Sequence, residues 1–118
     1  MEKTNNIIKK IFYIEKAQFL RSMMEFALKA KGAEIYTVDT LENNFYLLDD
    51  LTPDLIIFDV ETVENYLEEL IAKKSNAVLV ATGNIDQKLK VENRVKLYLV
   101  KPIEAKNLAT KILNLLES

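Results

Sequence analysis

Short apolar runs alternate with segments in which apolar residues recur every three to four positions, and the alternation persists along the whole chain. The runs at 7–14 (IIKKIFYI), 33–38 (AEIYTV), 54–59 (DLIIFD), 77–82 (AVLVAT) and 96–100 (KLYLV) read as strands. The segments between and after them read as helices over 17–31, 41–51, 63–74, 85–93 and 104–117, the fourth being short and weakly patterned. Gly32 supplies a stop for the first helix, Pro53 bounds the second, and Thr62 is placed to cap the third.

Five strand–helix units with strands this apolar call for a parallel sheet covered by helices on both faces. Right-handed crossovers then favour the order 2-1-3-4-5, a flavodoxin-like, doubly wound α/β sheet. At 118 residues, 49% hydrophobic and 29% charged, the whole of 1–118 fits one such domain. Sixteen Lys and Arg against eighteen Asp and Glu leave a net charge of -2, which offers no basic footprint for nucleic acid. The chain has neither Cys nor His, which removes thiol chemistry, disulfides, structural zinc and His-based acid–base pairs. No run approaches the ~20 apolar residues of a membrane span, and no signal-peptide pattern opens the chain, so a cytoplasmic protein without membrane contact is expected.

Ligands of doubly wound sheets bind beyond the carboxyl ends of the strands, where the strand order reverses. That edge collects Glu15 and Lys16 after the first strand, Asp59 at the end of the third, Thr82 at the end of the fourth and Lys101 after the fifth. Any one of them is readily explained by strand ends meeting water. Together, each just past an apolar run, they form a more specific arrangement. Pro102, next to Lys101, removes a backbone donor and fixes φ where the chain leaves the strand.

These residues resemble the receiver domains of two-component response regulators, over essentially the whole chain. TPDLIIFDV is similar to the phosphoacceptor strand, VLVATG to the hydroxyl-bearing fourth strand, and YLVKPIE to the Tyr-x-x-Lys-Pro segment. Arg21 and Gly32 also fall where the first helix of the family often has them. The resemblance implies that Asp59 takes a phosphoryl group from a phosphohistidine, while Thr82 and Lys101 hold its oxygens. It also implies a Mg²⁺ near Glu15, Asp59 and the backbone carbonyl of Glu61, and a switch role for Tyr98, which would turn inward when the hydroxyl residue moves. An ordinary strand aromatic packed against a helix is the other reading of Tyr98. Such a domain is a relay or adaptor without catalytic turnover of its own. Its implied partners are a histidine kinase, a phosphotransfer protein or another signalling protein, with a homodimer as a further option.

The pattern breaks after the first strand. The family has two adjacent acids there to hold the metal, whereas here Glu15 is followed by Lys16, and the charges of Glu15, Lys16, Asp59 and Lys101 cancel. A hard cation relies on carboxylate charge and near-ideal geometry, so Mg²⁺ binding is expected to be weak, with Lys16 either partly standing in for the metal or swinging out into solvent as a surface lysine. The loop after Asp59 (VETVEN) lacks the Pro and Gly usual for the family, and the spacings from Asp59 to Thr82 and on to Lys101 are short for it. Two functions compete: a receiver phosphorylated on Asp59, and a pseudo-receiver that works as a phosphorylation-independent interaction module. A flavodoxin-like cofactor binder would need a Ser/Thr/Gly-rich phosphate cradle after the first strand, and EKAQF offers none.

The first helix adds a candidate surface. Leu20, Met24, Ala27 and Leu28 form the stripe that would pack on the sheet, and Phe19, Met23, Phe26 and Ala30 form a second beside it. Together they cover an arc of roughly 200°, about twice what one sheet face needs. The second stripe is therefore expected to be at least partly exposed and to receive a partner. The alternative is that a neighbouring helix, or the residues before the first strand, cover it.

Overall fold

The computed structural model describes residues 9–117. Five strands, β1 (Lys10–Ile14), β2 (Glu34–Val38), β3 (Leu55–Asp59), β4 (Val78–Gly83) and β5 (Leu97–Val100), form one parallel sheet in the order β2-β1-β3-β4-β5. The helices are α1 (Gln18–Lys29), α2 (Tyr46–Leu51), α3 (Leu67–Lys73), α4 (Ile85–Val91) and α5 (Ala105–Glu117). This is the flavodoxin-like, doubly wound architecture expected from the sequence.

The strands alternate their side chains between two cores, as a period of two requires. Phe12, Ile14, Ile56, Phe58 and Leu79 pack on one side with Leu48, Leu70 and Val91. Ile11, Tyr13, Ile57 and Val80 pack on the other with Met24 and Leu28 of α1 and Leu108 and Ile112 of α5. Every residue of β3 is buried, so the strand that ends in Asp59 is held from both faces. Burying each such aliphatic side chain stabilises the fold by about 1.5–3 kcal/mol.

The element boundaries differ from expectation where polar side chains compete for the backbone. The first strand starts at Lys10, with residues 7 and 8 outside the described region. The second helix covers only Tyr46–Leu51. Before it, the Thr40 hydroxyl accepts the Glu42 N–H (3.0 Å), Asn44 Nδ2 donates to the Thr40 carbonyl (2.9 Å), and Asn43 has φ 64. Those local bonds hold the segment in turns. The third helix starts at Leu67 after a 3₁₀ turn over Glu64–Tyr66, and Thr62 does not cap it. The weakly patterned fourth helix is secured by a capping box, with Asn84 Oδ1 accepting the Gln87 N–H (2.8 Å) and Gln87 Oε1 accepting the Asn84 N–H (3.0 Å). It ends at Val91 and runs into a 3₁₀ turn at Glu92–Arg94. Gly32 follows α1 with φ 90, a conformation that strains any residue with a Cβ.

Candidate functional site

Strand register delivers the chemistry to one edge. Asp59 ends β3 directly beside Thr82 of β4. Lys101 follows β5, where its N–H bonds to the Gly83 carbonyl (2.8 Å), and the Lys101–Pro102 peptide is cis. Glu15 follows β1 and bonds through its N–H to the Val38 carbonyl (3.0 Å). Three of the expected residues then meet: Lys101 Nζ lies 2.7 Å from Glu15 Oε1 and 2.9 Å from Asp59 Oδ1. The two carboxylates are 1% and 4% exposed, so one ammonium serves two buried anions. Burial by itself would lower the pKa of Lys101, but the hydrogen bonds and charges of Glu15 and Asp59 outweigh it and hold the ammonium above its ordinary range.

The other oxygen of Asp59 is engaged as well. Thr62 donates to Asp59 Oδ2 with both its backbone N–H (3.0 Å) and its hydroxyl (2.7 Å). The same hydroxyl oxygen accepts the N–H of Lys16 (3.1 Å), which ties the loop after β3 to the loop after β1. Glu15 Oε2 accepts the N–H of Ala17 (3.1 Å), and Arg21 Nη1 donates to the carbonyls of Glu15 (2.6 Å) and Lys16 (2.9 Å). Sequence reasoning assigned Thr62 to a helix cap and missed this role. The available signal was the Asp-x-x-Thr spacing, since Asp side chains readily bond groups a few residues ahead.

Two hydroxyls at the site are left over. Thr82 Oγ1 is buried without a hydrogen-bond partner, and the buried Tyr13 phenol has only Glu15 facing it, outside good hydrogen-bond geometry. Burial, followed by the charges of Glu15 and Asp59, pushes the Tyr13 phenol far above its ordinary range. Tyr98 lies half-buried against the core and donates its hydroxyl to the Asn84 carbonyl (2.7 Å). A Cβ at Gly83 would come within 2.5 Å of that hydroxyl oxygen, so the ring sits where it does because residue 83 has no side chain. Burial and then Asp59 raise the pKa of Tyr98, with Lys101 opposing them.

Of the two readings of Lys16, the structure has the outward one. Its ammonium lies 3.1 Å from Glu61 Oε1, and the two side chains are 57% and 60% exposed. It stands at the rim, and Lys101 is the cation on the buried carboxylates. The expectation that Lys16 stands in for a metal is therefore corrected: four methylenes let the ammonium reach out to Glu61 and water, where desolvation costs it little. The Mg²⁺ that the resemblance implies does not fit this arrangement. Among the described residues no group of three or more acids could hold a metal ion. Glu15 and Asp59 are committed to Lys101, and the Glu61 carboxylate to Lys16.

The first helix carries its second stripe in the open. Phe19 and Phe26 are 73% and 78% exposed, and Met23 is half-buried. With Ala30, Ala105 and Lys106 they line a groove of about 710 Å³ between α1 and α5. Neither α5 nor any other described element covers the two phenyl rings, and residues 1–8, which precede the first strand and are the other candidate cover, lie outside the described residues.

Solved structures share this architecture. CheY4, a chemotaxis response regulator of Vibrio cholerae, matches with a TM-score of 0.78 at 17% identity, over 93% of this chain and 99% of that one. A response regulator from Thermotoga maritima matches at 0.80 and 16% identity, over 95% and 100%. HP1043, an orphan response regulator of H. pylori, matches at 0.79 and 23% identity, over 92% and 96%. The chain has the receiver fold. No family model and no curated protein matches its sequence. Within the receiver fold, the edge that gathers Glu15, Asp59, Thr82 and Lys101 is the carboxyl end of the sheet, at the reversal between β1 and β3.

Proposed function

We propose that this chain is a signal-transduction module of receiver fold that acts by binding other proteins, with its acidic pocket closed by internal bonds rather than gated by a phosphoryl group. The observation that carries this reading is the state of Asp59: one oxygen is paired with Lys101, the other accepts two bonds from Thr62, and the residue is 3% exposed. A nucleophile needs a line of approach as well as a lone pair, and although Oδ1 keeps one, burial and the bonds to Lys101 and Thr62 restrict access to it. The partner surface is the bare stripe Phe19, Met23 and Phe26. By the resemblance, its partner is the helical bundle of a histidine kinase or phosphotransfer protein, or a second copy of the chain. Mg²⁺ binding is weak, because the acids that would hold the ion are paired with lysines.

One observation favours a second reading, in which Asp59 is a phosphoacceptor. Thr82 offers a buried hydroxyl with no acceptor, beside Asp59 and near Lys101. In that reading an Asp59 oxygen forms a bond to phosphorus as the bond to the donor nitrogen breaks. The imidazole leaves with the electron pair, and Thr82 and Lys101 take two of the phosphoryl oxygens. Acetyl phosphate with millimolar Mg²⁺, followed by intact mass and hydroxylamine release, separates the two readings. The first expects no adduct. A hydroxylamine-labile phosphoryl group that disappears in Asp59→Asn would establish the second.

A further inference from the structure

We infer that the state of Asp59 is read out at the start of α1, through Thr62 and Arg21, and not at the Tyr98 side of the sheet. The inference rests on the proposed binding role of the α1 stripe and names how the pocket governs it. Both oxygens of Asp59 lead to the same corner. From Oδ2 the bonds run to the Thr62 hydroxyl and on to the Lys16 N–H. From Oδ1 they run to Lys101, to Glu15 and on to the Ala17 N–H. Ala17 is the N-cap residue of α1, and it offers the helix no side-chain cap. Arg21, in the first turn of α1, then clamps the carbonyls of residues 15 and 16.

The opposite side is joined to Asp59 by backbone ladder bonds, Lys101 N–H to the Gly83 carbonyl and Val60 N–H to the Thr82 carbonyl, and not by a chain of side-chain bonds. The Thr82 side chain makes no hydrogen bond, its carbonyl only accepting the Val60 N–H, and the Tyr98 hydroxyl reaches only the carbonyl of Asn84. Losing charge on Asp59, or adding a group to it, alters acceptors on which the Lys16 and Ala17 amides depend. The clamp of Arg21 passes that change to the helix whose exposed face begins at Phe19, two residues away. Thr62 and Arg21 are positioning residues in this scheme, and neither has been given a part in holding a ligand.

Amide hydrogen exchange read by NMR tests it, with thermal unfolding recorded alongside. In the unchanged chain the Lys16 and Ala17 amides should be protected. Asp59→Asn should speed exchange of both by about tenfold or more, and move the α1 first-turn resonances further than those of Asn84 to Gln87. In a Thr62→Val background the effect of Asp59→Asn on the Lys16 amide should vanish, and in Thr62→Ser it should persist. The inference is overturned if Asp59→Asn leaves Lys16 and Ala17 unmoved, if its main effect lies at Asn84 to Gln87, or if Thr62→Val preserves the coupling. Should Asp59→Asn fail to fold, Asp59→Glu shifts the same acceptors while keeping the charge and is read in the same way. Phosphoryl labelling of Asp59 by acetyl phosphate would end the proposed closed-pocket reading, yet the exchange rates would still decide, on their own, whether Asp59 couples to α1.

Discussion

Lys101 and Lys16 are the same residue type, they flank the same pocket, and in the sequence each simply follows a strand. Their environments differ in the one property that fixes their energetic worth. Lys101 is 27% exposed and holds two carboxylates that are nearly inaccessible. Lys16 is 57% exposed and meets a carboxylate that is equally wet. Removing a partner from a buried ion cluster strands charge in a poor solvent, whereas removing one from an exposed pair only hands it to water. Adding the charges of the pocket from sequence treats the two lysines as equals, and the structure shows that they are not.

The comparison predicts its largest effect at Lys101. Lys101→Met leaves Glu15 and Asp59 buried together without a cation, and about 3 kcal/mol of stability should be lost, since the ammonium is partly solvated. Thermal unfolding should fall by roughly 10–15 °C. A change below about 2 °C would mean that the cluster is not the structural hub described.

Alkaline pH should act on the same region with a smaller, graded effect. The folded pKa values of Lys101 and Tyr13 both lie above their ordinary values of 10.5 and 10.0. A raised folded pKa means that the native state keeps its proton when the unfolded chain has lost it. The stabilisation is therefore complete below the ordinary values and declines as pH rises above about 10. Urea midpoints at pH 8 and pH 10.5 should differ, and Tyr13→Phe together with Lys101→Met should flatten the slope. An unchanged slope in that double variant would assign the alkaline loss to other groups.

Lys16 should behave as the weak member of the pair. Lys16→Ala should change stability by no more than about 0.5 kcal/mol. Lys16→Asp frees Glu61 and adds a third carboxylate to the mouth of the pocket, so Mg²⁺ binding should become measurable by calorimetry at millimolar ion. Equal binding by the unchanged chain would remove the charge argument. The smallest effect on stability belongs to the α1 face. Phe19→Ser with Phe26→Ser should leave the unfolding midpoint within a few degrees, because both rings are already in water, yet weaken capture of a partner or self-association. A large loss of stability would show that the rings pack on something after all.

How much of this was legible depends on whether a feature is set by local pattern or by meeting. The strands and their order follow from apolar runs such as residues 55–58 and from the handedness of the crossovers, and these are local or universal constraints. The edge that gathers Glu15, Asp59, Thr82 and Lys101 follows from the order. The partners within that edge do not, since whether an ammonium turns inward or outward is decided by loops whose shape the sequence does not encode transparently. Thr62 is the clearest case. As a residue before an amphipathic segment it reads as a cap, but its hydroxyl finds a carboxylate three residues behind it, and the helix starts five residues later. The capping box of Asn84 and Gln87 was legible in the Asn-x-x-Gln spacing and would have placed the fourth helix more firmly.

The silent hydroxyl of Thr82 has a consequence for how deep the closed well can be. A buried donor without an acceptor costs about 1–3 kcal/mol. That cost counts against the arrangement in which Asp59 is turned to Thr62 and Lys101 and leaves the Thr82 hydroxyl beside it unanswered. Converted to populations, such a debit spans roughly 5- to 150-fold. The pocket is thus held shut by a narrower margin than the bonds of Lys101 and Thr62 suggest, and the counterweight is one oxygen atom on the neighbouring strand.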